Sequence, residues 1–241
     1  MNLEGKTALI TGGTKGIGLG IAVAMLEQGM RVMITGRKSA AVKEVVKKLS
    51  KKYNDNIIGH AGNVADLKSQ RAAVSELKKQ WKKLDVLIAN AGVGHFASIE
   101  DLTAKQWNEV IDVNLTGVFN SVKASIASLK KTQGYIITIA SLAGANFFEK
   151  GTAYNASKFG LVGFTQAMMM DLRPYDIKCS TIMPGSVATY FNDHKPTKKD
   201  AWKIQPEDIG QMVIDLLEMP ARTLPSKVEV RPFRPPSSYK K

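Results

Sequence analysis

Seven short runs rich in β-branched and aliphatic residues alternate with stretches of helical spacing, and this alternation restricts the fold more than any other feature of the chain. The runs are "KTALIT" (6–11), "RVMIT" (31–35), "NIIGH" (56–60), "DVLIA" (85–89), "YIITIA" (135–140), "KCSTIM" (178–183) and "KVEVR" (227–231). Helical patterns fill about 16–29, 39–52, 66–83, 104–130, 152–172 and 206–218. Strand–helix–strand units of this length need right-handed crossovers, which produce a parallel sheet covered on both faces. "LIA" (87–89) and "ITIA" (137–140) are apolar on both sides, as central strands of such a sheet must be. The expectation is one doubly wound α/β domain over residues 1–231, with about seven parallel strands, followed by a Pro/Ser/Lys-rich tail at 232–241. A chain of 241 residues suits one such domain.

Composition removes several function classes. No apolar run reaches the roughly 20 residues that span a bilayer. The start "MNLEGKTALITGG" lacks the pattern of a secretory signal, so the expected location is cytoplasmic. One cysteine, Cys179, excludes an internal disulfide, and three scattered histidines (His60, His95, His194) give no basis for a zinc site; no metal is expected. The net charge of +13 comes from lysine pairs and clusters placed mostly at the C-terminal ends of the expected helices, where cations suit the macrodipole. These clusters hold few aromatics and little arginine, which argues against nucleic acid; an acidic carrier protein remains a partner that such a surface could attract.

Two stretches carry chemistry. "TGGTKGIG" (11–18) sits between the first strand and the first helix, with glycines at Gly12, Gly16 and Gly18. Glycines there permit a tight turn, close backbone approach to a pyrophosphate, and N–H groups aimed from a positive helix terminus. "AYNASKFG" (153–160) places Tyr154 and Lys158 one helical turn apart on one face, with small residues between them.

"TGGTKGIG", "ANAG" (89–92), "DVN" (112–114), Ser141, "YNASK" (154–158) and "PG" (184–185) follow one another in an order and spacing that resembles the short-chain dehydrogenase/reductase family, a Rossmann fold. The resemblance implies an oxidoreductase that moves a hydride between a nicotinamide and a carbonyl or alcohol. It implies catalytic roles for four residues: Tyr154 as general acid or base, Lys158 as the cation that favours the phenolate and holds the nicotinamide ribose, Ser141 as donor to the substrate oxygen, and Asn114 in a proton relay through a distorted helix. A phenol is only ~0.1% ionised at pH 7, so a neighbouring cation matters. The implied cofactor contacts are Gly12, Thr14, Lys15, Gly16, Ile17, Gly18, Arg37, Asn63, Val64, Asn90, Ala91, Gly92, Tyr154, Lys158, Pro184, Gly185, Val187 and Thr189.

The cofactor expected is NADP(H). Gly36 stands where NAD-preferring relatives carry an acid, and Arg37 follows it with a fork suited to phosphate. Lys15 occupies the positive end of a helix, where an anion nearby would account for it. Asn63 replaces a frequent aspartate at the adenine, yet its amide oxygen can accept the same hydrogen bond. The close "SKVEVRPF" departs from the beta-ketoacyl-ACP reductases of the family, leaving that assignment open. The mainly apolar set Val93, Gly94, His95, Ala143, Phe147, Phe148, Tyr190 and Phe191 is expected around a small carbonyl or acyl substrate, under a mobile segment at 190–204. A homotetramer or homodimer is expected, paired through helices 104–130 and 152–172. The alternative reading is a non-catalytic dinucleotide-binding protein that senses redox state or holds an anionic partner.

Overall fold

The computed structural model describes residues 2–235; tail residues 236–241 lie outside the described residues. Seven parallel strands form one sheet in the order β3-β2-β1-β4-β5-β6-β7. They are β1 (Thr7–Ile10), β2 (Arg31–Gly36), β3 (Ile57–Ala61), β4 (Val86–Ala89), β5 (Tyr135–Ile139), β6 (Lys178–Pro184) and β7 (Lys227–Val230). The crossovers are made by α1 (Gly16–Glu27), α2 (Ser39–Tyr53), α3 (Leu67–Trp81), α4 (Ala104–Ile111) with α5 (Gly117–Thr132), α6 (Thr152–Leu172) and α7 (Pro206–Glu218). This is the doubly wound α/β Rossmann architecture, and its strand order reverses between β1 and β4, where a crevice opens at the carboxyl ends.

Alternation along each strand builds two cores. Ile10, Ile34, Ile88 and Ile137 face α1 and α7 and pack on Ile21, Met25, Val213 and Ile214. Their neighbours Leu9, Met33, Leu87 and Ile136 face the other way, toward Leu77, Val118, Leu161 and Met168 of α3, α5 and α6. Full burial of one such Leu or Ile side chain contributes about 1.5–3 kcal/mol. Basic residues close the last turns of α2 (Lys51, Lys52), α3 (Lys78, Lys79) and α5 (Lys130, Lys131), where they complement the helix dipole.

The single helix expected over 104–130 is corrected by the structure. A five-residue π-helical turn, Asp112–Thr116, separates α4 from α5. It widens the helix where Asn114 points inward, fully buried, and spends its side chain on partners outside the helix. Residues 190–204 contain two single 3₁₀ turns, Phe191–Asp193 and Lys198–Asp200, rather than a helix pair. The second is gathered around the buried Asp200, whose carboxylate accepts from the Thr197 N–H at 2.8 Å and pairs with Lys203 at 2.6 Å and His194 at 3.0 Å.

Candidate active site

The glycine turn after β1 folds back on the end of β4. Gly12 has φ +67°, and a Cβ on it would stand 2.9 Å from the Ala91 Cα. A Cβ on Gly18 would meet the Gly12 carbonyl at 2.4 Å and Asn90 Nδ2 at 2.5 Å, so only glycine lets the turn close. Asn90 fastens it by donating to the carbonyls of Thr11 (2.9 Å) and Gly12 (3.1 Å), while the Thr11 hydroxyl accepts the N–H groups of Asn90 and Ala91. No side chain caps the N-terminus of α1. Its leading N–H groups therefore face the crevice as donors, and a diphosphate fits this chemistry.

One cleft above this turn takes in Gly12, Thr14, Lys15, Gly16, Ile17, Arg37, Asn63, Val64, Asn90, Ala91, Gly92, Tyr154, Lys158 and Thr189 of the expected cofactor set. Gly18 packs behind it. Pro184, Gly185 and Val187 line an adjoining cleft instead. Arg37 reaches across from β2 to α4, where its NH1 lies 3.4 Å from Glu109 Oε1. Glu109 Oε2 meets His95 Nε2 at 2.9 Å, and His95 first, then Arg37, holds the Glu109 carboxyl below the usual carboxylate range. Lys15 Nζ lies 5.9 Å from the centroid of the Tyr190 ring. Asn63 Oδ1 accepts the Ala65 N–H at 3.1 Å, which leaves one lone pair for a further donor.

The four candidate catalytic residues converge from three places in the chain: the segment after β5, α6 and the π-helical turn. Ser141 follows β5 by two residues and caps a 3₁₀ turn, Leu142–Gly144; its oxygen accepts the Ala143 N–H at 3.1 Å and lies 3.4 Å from the Pro184 carbonyl. Tyr154 and Lys158 stand on α6, with Lys158 Nζ 5.6 Å from the centroid of the Tyr154 ring. Lys158 donates to the Ile139 carbonyl at 3.1 Å, which leaves two ammonium protons without a partner there. Asn114 lies behind the cleft wall, accepts the Val93 N–H at 2.8 Å and donates to Val93 O (2.9 Å) and Ser157 Oγ (3.0 Å).

Burial dominates the electrostatics. It pushes the Tyr154 phenol up to about 12, opposed by a hydrogen bond with the Ser141 hydroxyl. It brings the Lys158 ammonium down to about 8. In this geometry dehydration outweighs the attraction expected between ammonium and phenolate, so Tyr154 is held as an acid.

The adjoining cleft, of about 730 Å³, contains Ser141, Ala143, Tyr154, Phe147, Phe148 and Phe191. Of the other expected pocket residues, Val93 and Tyr190 lie in the cofactor cleft, and Gly94 packs against the Phe191 ring. His95 is corrected: it turns to Glu109, and the histidine lining the adjoining cleft is His194. Sequence reasoning also missed Phe96, whose ring centroid lies 5.5 Å from Tyr154 and 5.7 Å from Phe148. Its signal was faint, one aromatic in a loop four residues past "ANAG". Trp202, Lys203 and Arg231, which complete the far wall, carry no local motif at all.

Among the described residues no cluster of three or more His, Cys, Asp or Glu could hold a metal ion, and no helix is long and apolar enough to cross a membrane.

The fold and this constellation define an oxidoreductase of the Rossmann type, and comparison with known proteins gives its family. The model of the short chain dehydrogenases matches residues 6–200. The chain belongs to the short-chain dehydrogenase family. It is similar to an uncharacterized oxidoreductase of Staphylococcus saprophyticus, 30% identical over 96% of this chain and 99% of the relative. Among solved structures it resembles an alcohol dehydrogenase from the archaeon Thermococcus sibiricus complexed with 5-hydroxy-NADP (TM-score 0.90, 28% identity, covering 96% of this chain and 99% of that one). It also resembles a 3-ketoacyl-(acyl-carrier-protein) reductase from Brucella melitensis complexed with NADH (TM-score 0.86, 25% identity, with 96% and 99% covered).

Proposed function

We propose that this protein is an NADPH-dependent carbonyl reductase. The observation that carries the reading is the meeting of Ser141, Tyr154 and Lys158 at the junction of two clefts, one built on an uncapped helix terminus and the other walled by aromatic rings. The residues suited to the dinucleotide are the glycine turn, Lys15, Arg37, Asn63 and Lys158. When bound, the reduced nicotinamide supplies a hydride to the substrate carbon.

The chain's own residues do the rest. Tyr154 gives its phenolic proton to the substrate oxygen, a task suited to a phenol that burial keeps protonated. Ser141 donates a hydrogen bond to that oxygen as negative charge grows on it. Lys158 keeps positive charge beside the phenol and orients the ribose with its two remaining protons. Asn114 fixes the chain at Val93 and lies near the lysine: a Cβ on Gly92 would be 3.4 Å from Asn114 Oδ1 and 3.8 Å from Lys158 Nζ. In the reverse direction the same groups run the proton path backward.

NADPH over NADH is supported by Arg37 and Lys15 at the cofactor cleft and by Gly36 in place of an acid. A homo-oligomer, a dimer or tetramer, is supported by apolar side chains exposed on α4, α5 and α6: Trp107, Phe119, Phe159 and Met170. The test is a screen of ketones, aldehydes and ketoacyl thioesters followed by NADPH absorbance. Turnover of any of them supports the reductase. Tight NADPH binding with no turnover would favour the non-catalytic dinucleotide-binding protein.

A further inference from the structure

The substrate cleft has a chemistry of its own. Four rings gather at its reacting end, with Phe96 packed edge-on to Tyr154, Phe148 and Phe191 at centroid distances of 5.5, 5.7 and 6.3 Å. Phe96 and Phe148 remain 38% and 45% exposed, so apolar ring surface faces the open cleft. Flat aromatic walls around a general acid favour a flat or ring-bearing substrate body.

The other end is basic. Among the described lining residues are Arg231, Lys203 and His194, and there is no aspartate or glutamate. Two of these groups are already engaged, since Asp200 behind the wall pairs with the Lys203 ammonium at 2.6 Å and meets His194 Nε2 at 3.0 Å. Arg231 differs. Its NH2 meets Glu229 at 3.1 Å, but both side chains are solvent-exposed, 58% and 37%, and such a pair is weak and easily exchanged.

The sheet sets the distance between the two ends. The Ser141 hydroxyl lies 3.4 Å from the Pro184 carbonyl at the end of β6, and the Gly185 N–H donates to Val230 O at 2.8 Å, next to Arg231. Ser141 and Arg231 thus follow β5 and β7 with one strand between them, about 10 Å apart by strand spacing. An arginine side chain covers more than half of that. An anion carried three to five bonds beyond the reacting carbonyl would meet the guanidinium.

We infer that the substrate is an aromatic or similarly flat oxo acid, its ring held by Phe96, Phe148 and Phe191 and its carboxylate by Arg231. The inference rests on the carbonyl-reductase reading. Reduction adds a hydride, from the reduced nicotinamide, and one proton, from Tyr154, to the carbonyl; the product is the hydroxy acid and the carboxylate is unchanged.

Calorimetry with 4-phenylbutanoate and the neutral 4-phenylbutanamide tests the anion end without turnover. We expect the acid to bind about fivefold more tightly, as a charge-assisted arginine contact at a partly exposed site gives. Arg231→Met should remove that difference. Glu229→Gln, which frees the guanidinium, should enlarge it. Equal or tighter binding of the amide, or an acid preference untouched by Arg231→Met, overturns the inference. Turnover of 4-oxo-4-phenylbutanoate against its methyl ester separates the two readings. A lower KM for the acid supports both. Equal kcat/KM for the two leaves a reductase and overturns the carboxylate site. Acid-selective binding with no reduction of either, by NADPH or NADH, keeps the anion site but overturns the oxo-acid substrate; the reductase reading then stands or falls on the wider carbonyl screen.

Discussion

Asn114 and Val93 hold each other by two hydrogen bonds: the Val93 N–H donates to Asn114 Oδ1 at 2.8 Å, and Asn114 Nδ2 donates to the Val93 carbonyl at 2.9 Å. The pair ties the π-helical turn to the chain that leaves β4, so the helix defect and the floor of the cleft are one construction. A side chain from mid-helix can satisfy a loop peptide in this way only because the widened turn brings it inward. Replacing Asn114 with alanine leaves both groups of Val93 without their side-chain partner. We expect a loss of about 1–3 kcal/mol in stability and a kcat reduced further than the melting temperature alone explains. Parallel melting curves and steady-state rates check this.

Tyr154→Phe removes one hydroxyl and keeps the ring that packs on Phe96 and Phe191. Turnover should fall by at least about 10²-fold, with NADPH affinity and melting temperature near those of the parent. A variant that retains most of its kcat would remove Tyr154 from the mechanism.

Lys158 determines the alkaline side. Burial brings its ammonium down to about 8, while the Tyr154 phenol stays protonated up to about 12. The kcat/KM for reduction, which reports the free enzyme, should therefore be level through neutral pH and decline above about pH 8. The same shift has a stability sign. Between about 8 and 10.5 the unfolded chain binds more protons at this site than the folded one, so this residue's contribution to stability rises with pH. Lys158→Met should then unfold at a higher temperature than the parent at pH 7, lose that advantage toward pH 10.5, and be inactive. Melting curves at the two pH values decide it.

Arg37 is shared between the nucleotide cleft and Glu109. Arg37→Asp should weaken NADPH by about tenfold or more, an exposed charge-assisted contact being lost and a repulsion gained. Glu109→Gln should tighten NADPH while leaving NADH nearly unchanged, because it removes a competitor for the guanidinium. Titration of both cofactors by fluorescence measures the two ratios. A parent enzyme with equal kcat/KM for NADPH and NADH would reject the preference.

Exposed rings on α5 and α6 should be covered by a second copy. Phe119 is 45% exposed, and Phe159 is 37% exposed and stacks on Phe147 at 5.2 Å. Sedimentation at micromolar concentration should give a dimer or tetramer, with Phe119→Asp shifting it toward the monomer. A monomer mass for the parent would refute the assembly.

The sequence by itself determined the sheet, its helices, the glycine turn and the Tyr154–Lys158 pair. Those signals are local: strand alternation, a helical turn of four residues and glycines at a forced bend act within a few positions of chain. The defect at Asn114 was not among them: the pattern gave one helix over 104–130, and only the family resemblance implied a distortion there. What the tertiary structure alone decided depends on side chains that are neighbours only after the sheet is wound. Phe96 meets Phe191, Arg37 meets Glu109 across 72 positions, and Arg231 reaches the edge of a cleft that also holds Tyr154. His95 leaves its expected pocket for the same reason, drawn to the carboxylate of Glu109, while His194, for which no place was expected, is held at the cleft by Asp200. The pKa order of tyrosine and lysine was also beyond the sequence, since it depends on how much water the finished cleft removes from each group.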